Sequence, residues 1–294
     1  FFTHKPAYEI GVRLVVSEMC IRESTLGLGL GVGAFRGTAH LGVLKALEEE
    51  GLRPGFLCGT SAGAMAAAFY AFGMSPEEIR NVARNLRWLK ATNLTFSKLG
   101  LLSNNEIGKF IEKYLGDVLI EDSSIPLAIV AADISTGEKV VFKTGSLATA
   151  IMASTCIPGV FMPTQVDGRM LVDGAIVENV PIKVLQEMGA KVCVGVDLGS
   201  GGYRQPKSLV EVLLNAFSIA IDRTIHHQGD KADVIIKPSL AGYSLTDSGN
   251  SIKLYAEGYR SGIMALDEIK LLVEKAGPSS IGALEQKFRR WLET

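Results

Sequence analysis

The 294-residue sequence lacks an apolar run long enough to cross a membrane. Its longest apolar stretch, counting tyrosine as apolar, covers residues 62–74. As a helix this stretch would reach about 20 Å, whereas the hydrocarbon core of a bilayer is about 30 Å thick. Residues 1–25 also lack the basic and apolar regions of a signal peptide. We therefore expect a cytoplasmic protein in which residues 1–25 are an N-terminal extension to the fold.

An excess of one charge is also lacking, since 30 basic and 31 acidic side chains leave a net charge of −1. Nucleic acid is therefore not an expected partner, because its recognition needs clustered Lys and Arg to neutralise phosphates. Cysteine and histidine are scarce, with four residues each, and no two cysteines have CxxC spacing. A disulfide scaffold and a zinc site are not predicted, and we expect neither a metal nor a cofactor.

Glycine, in contrast, is abundant, with 32 residues, and several of these glycines stand where a short apolar run gives way to a helical pattern. Strands are predicted at 26–30 and 56–58, and each is followed by a helix, at about 38–50 and 61–73. This alternation predicts an α/β protein with a parallel sheet. Further predicted elements are helices at 76–90, at 181–188 and from about 208, strands at 127–132, 139–142, 191–196 and 234–236, a hairpin around Asp167-Gly168, and two C-terminal helices.

The segment Gly59-Thr60-Ser61-Ala62-Gly63 has the G-x-S-x-G form where a predicted strand ends and a helix begins. In such a tight turn the serine is strained, its hydroxyl projects outward and the helix N-terminus lies behind it. Gly59 and Gly63 remove side chains that would clash in the turn. Ser61 is therefore the candidate nucleophile, the alternative being a glycine-rich helix cap.

A serine hydroxyl needs a base to remove its proton, and the sequence offers two candidates. The order of an α/β-hydrolase triad would use His226 or His227, which stand on a predicted amphipathic helix where solvated histidines are common. Asp173 ends a hydrophobic strand and is followed by Gly174, although an Asx turn would also explain a carboxylate there. The residues alone leave both candidates open.

Residues 29–37 form a glycine-rich stretch, again between a predicted strand and a helix. Backbone N–H groups in such a loop are suited to bind the oxyanion that develops in acyl transfer. Gly29, Gly31 and Ala34 also match the dinucleotide pattern G-x-G-x-x-[GA], but no acidic residue follows about twenty positions on, near Pro54. An oxyanion loop is the favoured interpretation.

Together, the loop that ends in Arg36-Gly37, the serine turn and the Asp173-Gly174-Ala175 turn resemble the patatin-like phospholipase family. The resemblance extends from about residue 26 to 181 and continues more loosely to the C-terminus. One departure is Val32-Gly33-Ala34, where the family usually has three small residues, mostly glycines. Further stretches that carry the resemblance are residues 39–44, 153–154, 157–159 and 179–181.

This resemblance implies a three-layer α/β/α fold with a mainly parallel sheet and a Ser–Asp dyad without histidine. By position it makes Ser61 the nucleophile, Asp173 the base, and the N–H groups of Gly33 and Ala34 the oxyanion donors. We expect Asp173 to be partly buried beside Ser61, because burial would raise its pKa from about 3.9 toward that of a useful base. The residues implied as supports of the loop and the turn are Gly31, Arg36, Gly37, Gly59, Gly63 and Gly174.

The resemblance also implies one patatin-like domain over residues 26–294, with the motifs in a core at about 26–184 and a C-terminal portion at 185–294. The expected function is hydrolysis of acyl esters in phospholipids or related lipids through an acyl-enzyme. Alternatives are an acyltransferase that uses the same dyad, a Ser-His-Asp hydrolase and a non-catalytic lipid-binding protein. An apolar face on the predicted helix from about 208 is suited to peripheral membrane contact or a homodimer, although packing on the sheet is commoner.

Overall fold

A computed structural model describes residues 25–84, 99–199, 205–225, 232–243, 248–277, 288 and 290–293. Its strands are β1 (Leu26–Leu30), β2 (Phe56–Thr60), β3 (Gly100–Leu102), β4 (Leu127–Asp133), β5 (Lys139–Phe142), β6 (Gly159–Phe161), β7 (Thr164–Val166), β8 (Arg169–Asp173), β9 (Val192–Val196) and β10 (Val234–Ile236). Its helices are α1 (Thr38–Glu49), α2 (Ala62–Ala71), α3 (Pro76–Ala83), α4 (Asn105–Leu115), α5 (Leu147–Ser154), α6 (Ile182–Met188), α7 (Leu209–Ile225) and α8 (Ser251–Ala276).

Within these described ranges, eight strands form one sheet in the order β10-β9-β1-β2-β4-β8-β7, and β5 also pairs with β4. The centre of the sheet is parallel, from β10 through β9, β1 and β2 to β4. β5 and β8 are antiparallel to β4, and β7 forms an antiparallel hairpin with β8. β3 and β6 make a separate two-stranded parallel sheet.

Both faces of the central sheet are covered, as expected for parallel strands that are buried on both sides. On one face, Leu57 and Ile129 belong to a core that includes side chains of α1, α2, α4 and α8. On the other face, Cys58 and Val130 pack with α6 and with Trp291. The structure is therefore the α/β class with helices on both sides of a mainly parallel sheet that the sequence predicts.

Within the described residues, the predicted elements agree with the structure except near some boundaries, and the second predicted C-terminal helix lies mostly outside those residues. β2 is longer than predicted and ends at Thr60, so that α2 begins at Ala62. α3 begins with the capping box between Ser75 and Glu78, and the predicted continuation over residues 85–90 lies outside the described residues. The short strands β3 and β6 and the helices α4 and α5 are not predicted, because their apolar runs are short or lack a clear period.

Helices α1 and α8 approach so closely that their backbones touch at glycines. A Cβ atom on Gly42 would lie 2.1 Å from the Tyr255 carbonyl oxygen, and one on Gly258 would lie 1.9 Å from the Ala39 carbonyl oxygen. Both clashes are with backbone atoms, so no side-chain rotation relieves them. The distance between the two helices therefore depends on the absence of side chains at these positions.

We expect Gly258→Ala to destabilise the protein by at least the roughly 1–3 kcal/mol typical of overpacking, despite the better helix propensity of alanine. Thermal unfolding is the measurement. Gly242→Ala is the matched control, because a Cβ there meets no atom of the described residues within 4 Å. Equal melting temperatures for the two variants would contradict the predicted contact.

Candidate active site

Ser61 lies in the tight turn between β2 and α2 and has a strained backbone, with φ +56° and ψ −122°. Such a conformation costs a non-glycine residue about 1–3 kcal/mol and persists only where the surroundings enforce it. Here the Ser61 amide donates to Ser154 Oγ at 2.8 Å, and Ser154 Oγ donates to the Val130 carbonyl at 2.7 Å. Ser154 on α5 thus ties the turn to strand β4.

The turn also requires a glycine one residue into α2. A Cβ on Gly63 would lie 2.1 Å from the Leu30 carbonyl oxygen at the end of β1. Only glycine permits this approach, which brings the start of α2 against the loop that follows β1. The predicted nucleophile turn and the predicted oxyanion loop are therefore in direct contact.

The pairing pattern of β4 explains why Asp173 lies beside this turn. Thr60, the last residue of β2, pairs with Val130, and Asp173, the last residue of β8, pairs with Ala131. Val130 and Ala131 also pair with β5, and because a strand has two edges, β2 and β8 occupy the same edge of β4. Since β8 is antiparallel, its C-terminal end meets the C-terminal end of β2.

The Asp173 carboxyl group is buried, with 1% of the residue exposed. Its Oδ1 atom accepts a hydrogen bond from the Ala175 amide at 3.0 Å. Its Oδ2 atom makes no hydrogen bond of ordinary length within the described residues, although the Ser61 hydroxyl is near enough to lower the carboxyl pKa. Burial has the larger effect and raises the pKa of Asp173 to about 7.

The loop after β1 contains the second strained residue of the site. Ala34 has φ +46°, and together with Ser61 and Asp167 it is one of three non-glycine residues with positive φ in the described chain. Ala34 begins a short 3-10 turn over Ala34–Gly37. Among the described residues, the amides of Gly33 and Ala34 have no hydrogen-bond partner.

Arg36 is almost fully buried, at 1% exposure. Its guanidinium donates to the Tyr243 carbonyl through Nε at 3.1 Å and Nη2 at 2.6 Å, and to the Gly199 carbonyl through Nη1 at 3.2 Å. Arg36 therefore ties the loop to the C-terminal part of the chain.

The other residues predicted to support the site also lie at close contacts around the loop and the two turns. A Cβ on Gly37 would lie 2.9 Å from Ala62 Cβ, and one on Gly59 would lie 2.5 Å from the backbone of Ala64. The Gly31 amide donates to the Val196 carbonyl at 3.0 Å, and a Cβ on Gly174 would lie 2.5 Å from the Val130 carbonyl oxygen. The structure thus brings all six supporting residues around the loop and the two turns.

A largely apolar cleft of about 550 Å³, counted out to open solvent, begins beside the two strained residues. Its near end is formed by Ala34 and by Ala62, the residue after Ser61. It continues along one face of α2. Further lining residues there are Phe35, Met65, Ala66, Phe69 and Phe110. The cleft therefore offers an apolar surface beside Ala62, the residue that follows Ser61.

The triad alternative is not tested, because His226 and His227 lie outside the described residues. In the described ranges, no three His, Cys, Asp or Glu side chains are grouped to hold a metal ion. A search of the helices built from those ranges finds none with the length and apolarity of a membrane span.

Three polar residues that support the site were not assigned a role from the sequence: Ser154, His40 and Asn179. Each lies in a stretch that carries the family resemblance, but each contacts the site across at least nine positions of the chain. Their sequence signal is their place in those stretches, which does not tell which backbone groups they contact.

Comparison with known proteins identifies the family. The family model described as patatin-like phospholipase matches residues 30–185, which is more than half of the chain. The chain belongs to the patatin-like phospholipase family.

Curated relatives are about one-third identical to this chain over the region in which they match it. An uncharacterized NTE family protein of Mycobacterium tuberculosis is 36% identical over 176 residues, which is 59% of this chain and 49% of that protein. Patatin-like phospholipase domain-containing protein 6 of Homo sapiens is 34% identical over 187 residues, 60% of this chain and 14% of that protein. Lysophospholipase NTE1 of Mycosarcoma maydis is 32% identical over 197 residues, 64% of this chain and 10% of that protein.

The matches thus span about half or less of the length of these relatives. Among solved structures, VipD from Legionella pneumophila has a TM-score of 0.46 and 15% identity, over 87% of this chain and 67% of that chain.

The raised pKa of Asp173 predicts a pH-dependent stability. The folded protein keeps this proton up to about pH 7, whereas an unfolded chain releases it near pH 3.9, so stability falls as pH rises between these values. We expect Asp173→Asn to abolish that fall and to melt at a higher temperature than the wild type at pH 8 but not at pH 4. Identical pH profiles of the melting temperature would contradict the shifted pKa.

Proposed function

We propose that the chain is a serine lipid acyl hydrolase that works through a Ser61–Asp173 dyad. The observation that carries the proposal is the meeting of β2 and β8 on one edge of β4, which brings a buried carboxyl group to a strained serine. Membership of the patatin-like phospholipase family supports a lipid ester as the substrate. The printed name of the fungal relative makes a lysophospholipid the first substrate to test.

In the proposed mechanism, Ser61 Oγ attacks the ester carbonyl while Asp173 accepts the hydroxyl proton. A carboxyl pKa of about 7 suits this step, because a base with a pKa near the working pH is both ionised and able to hold a proton. The strained turn keeps the hydroxyl at the N-terminus of α2, where the helix dipole favours developing negative charge.

The amides of Gly33 and Ala34 donate hydrogen bonds to the oxyanion of the tetrahedral intermediate. Asp173 then gives its proton to the leaving alcohol, which departs and leaves an acyl-enzyme on Ser61. In the second half, water loses a proton to Asp173 and attacks the acyl-enzyme. Collapse of that intermediate returns the proton to Ser61 Oγ and releases the fatty acid.

Substrate would be reached by peripheral contact of the protein with a lipid surface. The support for this is α7, where Leu209, Val212 and Ile219 are exposed on one stripe while Leu214 and Ile221 are buried against the fold. The same stripe is the alternative interface for a homodimer. Flotation with phosphatidylcholine vesicles and the oligomeric state in their absence separate the two.

Ser61→Ala is expected to abolish release of fatty acid from lysophosphatidylcholine, and Asp173→Asn to reduce it by several orders of magnitude. For the wild type, kcat/KM should rise with pH through about 7 and then level off, because only ionised Asp173 accepts the proton.

Mass spectrometry of the products, with and without a lipid alcohol, separates hydrolysis from acyl transfer. Covalent labelling by a fluorophosphonate separates an active serine from a lipid-binding protein. Full activity of Ser61→Ala would refute the proposal.

The acyl chain is proposed to lie in the cleft along α2. From Ala62 to Phe69 the helix rises about 10.5 Å, which accommodates roughly eight carbons at about 1.25 Å per bond of an extended chain. We expect Ala66→Leu to lower kcat/KM for long-chain 4-nitrophenyl esters at least tenfold and to leave the acetyl ester unchanged. The acetyl ester is the internal control, and an equal loss on both esters would contradict this location of the chain.

A further inference from the structure

One peptide group in the loop after β1 is held at both ends by buried side chains. The Gly31 carbonyl oxygen lies 2.7 Å from His40 Nε2, and the Val32 amide donates to Asn179 Oδ1 at 2.9 Å. These two atoms belong to the same planar unit, the peptide that joins Gly31 to Val32. Two hydrogen bonds from different elements, α1 and the segment before α6, therefore fix the orientation of that plane.

The protonation of His40 follows from its surroundings. His40 is fully buried, and burial lowers its pKa to about 4, so the ring is neutral near pH 7. A carbonyl oxygen only accepts hydrogen bonds, so Nε2 carries the hydrogen and donates it to Gly31. Nδ1 is then an acceptor, and it has no partner within the described part of the chain. An unsatisfied buried nitrogen costs free energy, so packing alone does not explain a histidine here.

The orientation of Asn179 is fixed by its other partner. Asn179 is 2% exposed, and its Nδ2 donates to Asp197 Oδ1 at 3.3 Å. Asp197 also accepts a hydrogen bond from the Gly199 amide at 3.0 Å. Because the amide nitrogen faces a carboxylate, the amide oxygen faces the Val32 N–H group. The Gly31 amide, bonded to the Val196 carbonyl, anchors the preceding peptide in the same region.

We propose that His40 and Asn179 are positioning residues that hold the Gly31–Val32 peptide so that the next two amides, of Gly33 and Ala34, point at the ester oxygen. The inference rests on the proposed function, since it takes those amides as the oxyanion donors. The positive φ of Ala34 supports it, because a strained backbone needs restraints from outside the loop. Neither side chain touches the substrate in this proposal.

The test compares His40→Leu, Asn179→Leu and His40→Gln in steady-state kinetics on lysophosphatidylcholine. Each leucine variant should lower kcat by about 10- to 100-fold with little change in KM, less than the 10²- to 10³-fold cost of losing a whole oxyanion donor. His40→Gln keeps an N–H donor on a side chain of similar reach and should recover most of kcat. The double leucine variant should lose less than the product of the single losses, because both residues hold one peptide group.

Asn104→Leu is the matched control for the loss of a buried amide. Asn104 is 5% exposed and donates to the Met152 carbonyl and to Thr164 Oγ1, away from the loop. It should lower the melting temperature while kcat stays within about twofold of the wild type, a change too small to count as a lost oxyanion contact. If His40→Leu does not fold, the comparison of Asn179→Leu with Asn104→Leu decides.

Equal losses of kcat in Asn104→Leu and Asn179→Leu would overturn the positioning role. So would wild-type kcat in a folded Asn179→Leu or His40→Leu variant, or no advantage of His40→Gln over a folded His40→Leu. These outcomes are distinct from failure of the proposed function, which Ser61→Ala reports on its own. If Ser61→Ala is inactive and the leucine variants are fully active, the role of Ser61 stands and the positioning role does not.

Discussion

The candidate site depends on one edge of strand β4, where β2 ends and β8 takes its place. Val130 and Ala131 are consecutive residues on β4, and they pair with Thr60 and Asp173 respectively. Backbone hydrogen bonds to β4 thereby bring together the ends of β2 and β8, where the serine and the carboxylate lie. The Val130 carbonyl adds a further restraint, because it accepts the Ser154 hydroxyl and lies against Gly174, where no side chain fits. The positions of Ser61 and Asp173 are thus set by strand pairing within the sheet, and sites built on such elements are more precise than sites on loops.

This arrangement is unfavourable for stability in two respects, and both arise at the candidate site. Ser61 and Ala34 have positive φ, and Asp173 is buried with one oxygen that makes no ordinary hydrogen bond within the described residues. Strained backbone and buried carboxyl groups persist only where the surrounding structure compensates for them. The compensation here is local: the serine amide bonds to Ser154, and the carboxyl Oδ1 accepts from Ala175. Such local costs at a site are typical of functional residues, where activity and stability compete.

Much of this could be predicted from the sequence, because its signals are local. The strand-to-helix turn at Ser61, the alternation of strands and helices and the hairpin at Asp167 each depend on neighbouring residues. The edge on which β8 pairs could not be predicted, because it depends on where β2 stops relative to β4. The contacts of Ser154, His40 and Asn179 were missed for a related reason: a buried polar residue has the same local pattern whether it satisfies a core or orients a catalytic loop.

The C-terminal part of the chain also contacts the candidate site, although the match to the family model ends at residue 185. Arg36 in the loop after β1 donates to the carbonyls of Gly199 and Tyr243, and Asn179 bonds to Asp197. The loop after β1, in the N-terminal part of the chain, is therefore held in place by the segments that follow β9 and β10. Since a buried guanidinium is costly without its acceptors, removal of the C-terminal part would destabilise the loop by taking away the two carbonyl groups that accept from Arg36. The geometry of the site consequently depends on both the N-terminal and the C-terminal parts of the chain, even though the sequence motifs that indicate the site lie in the N-terminal part.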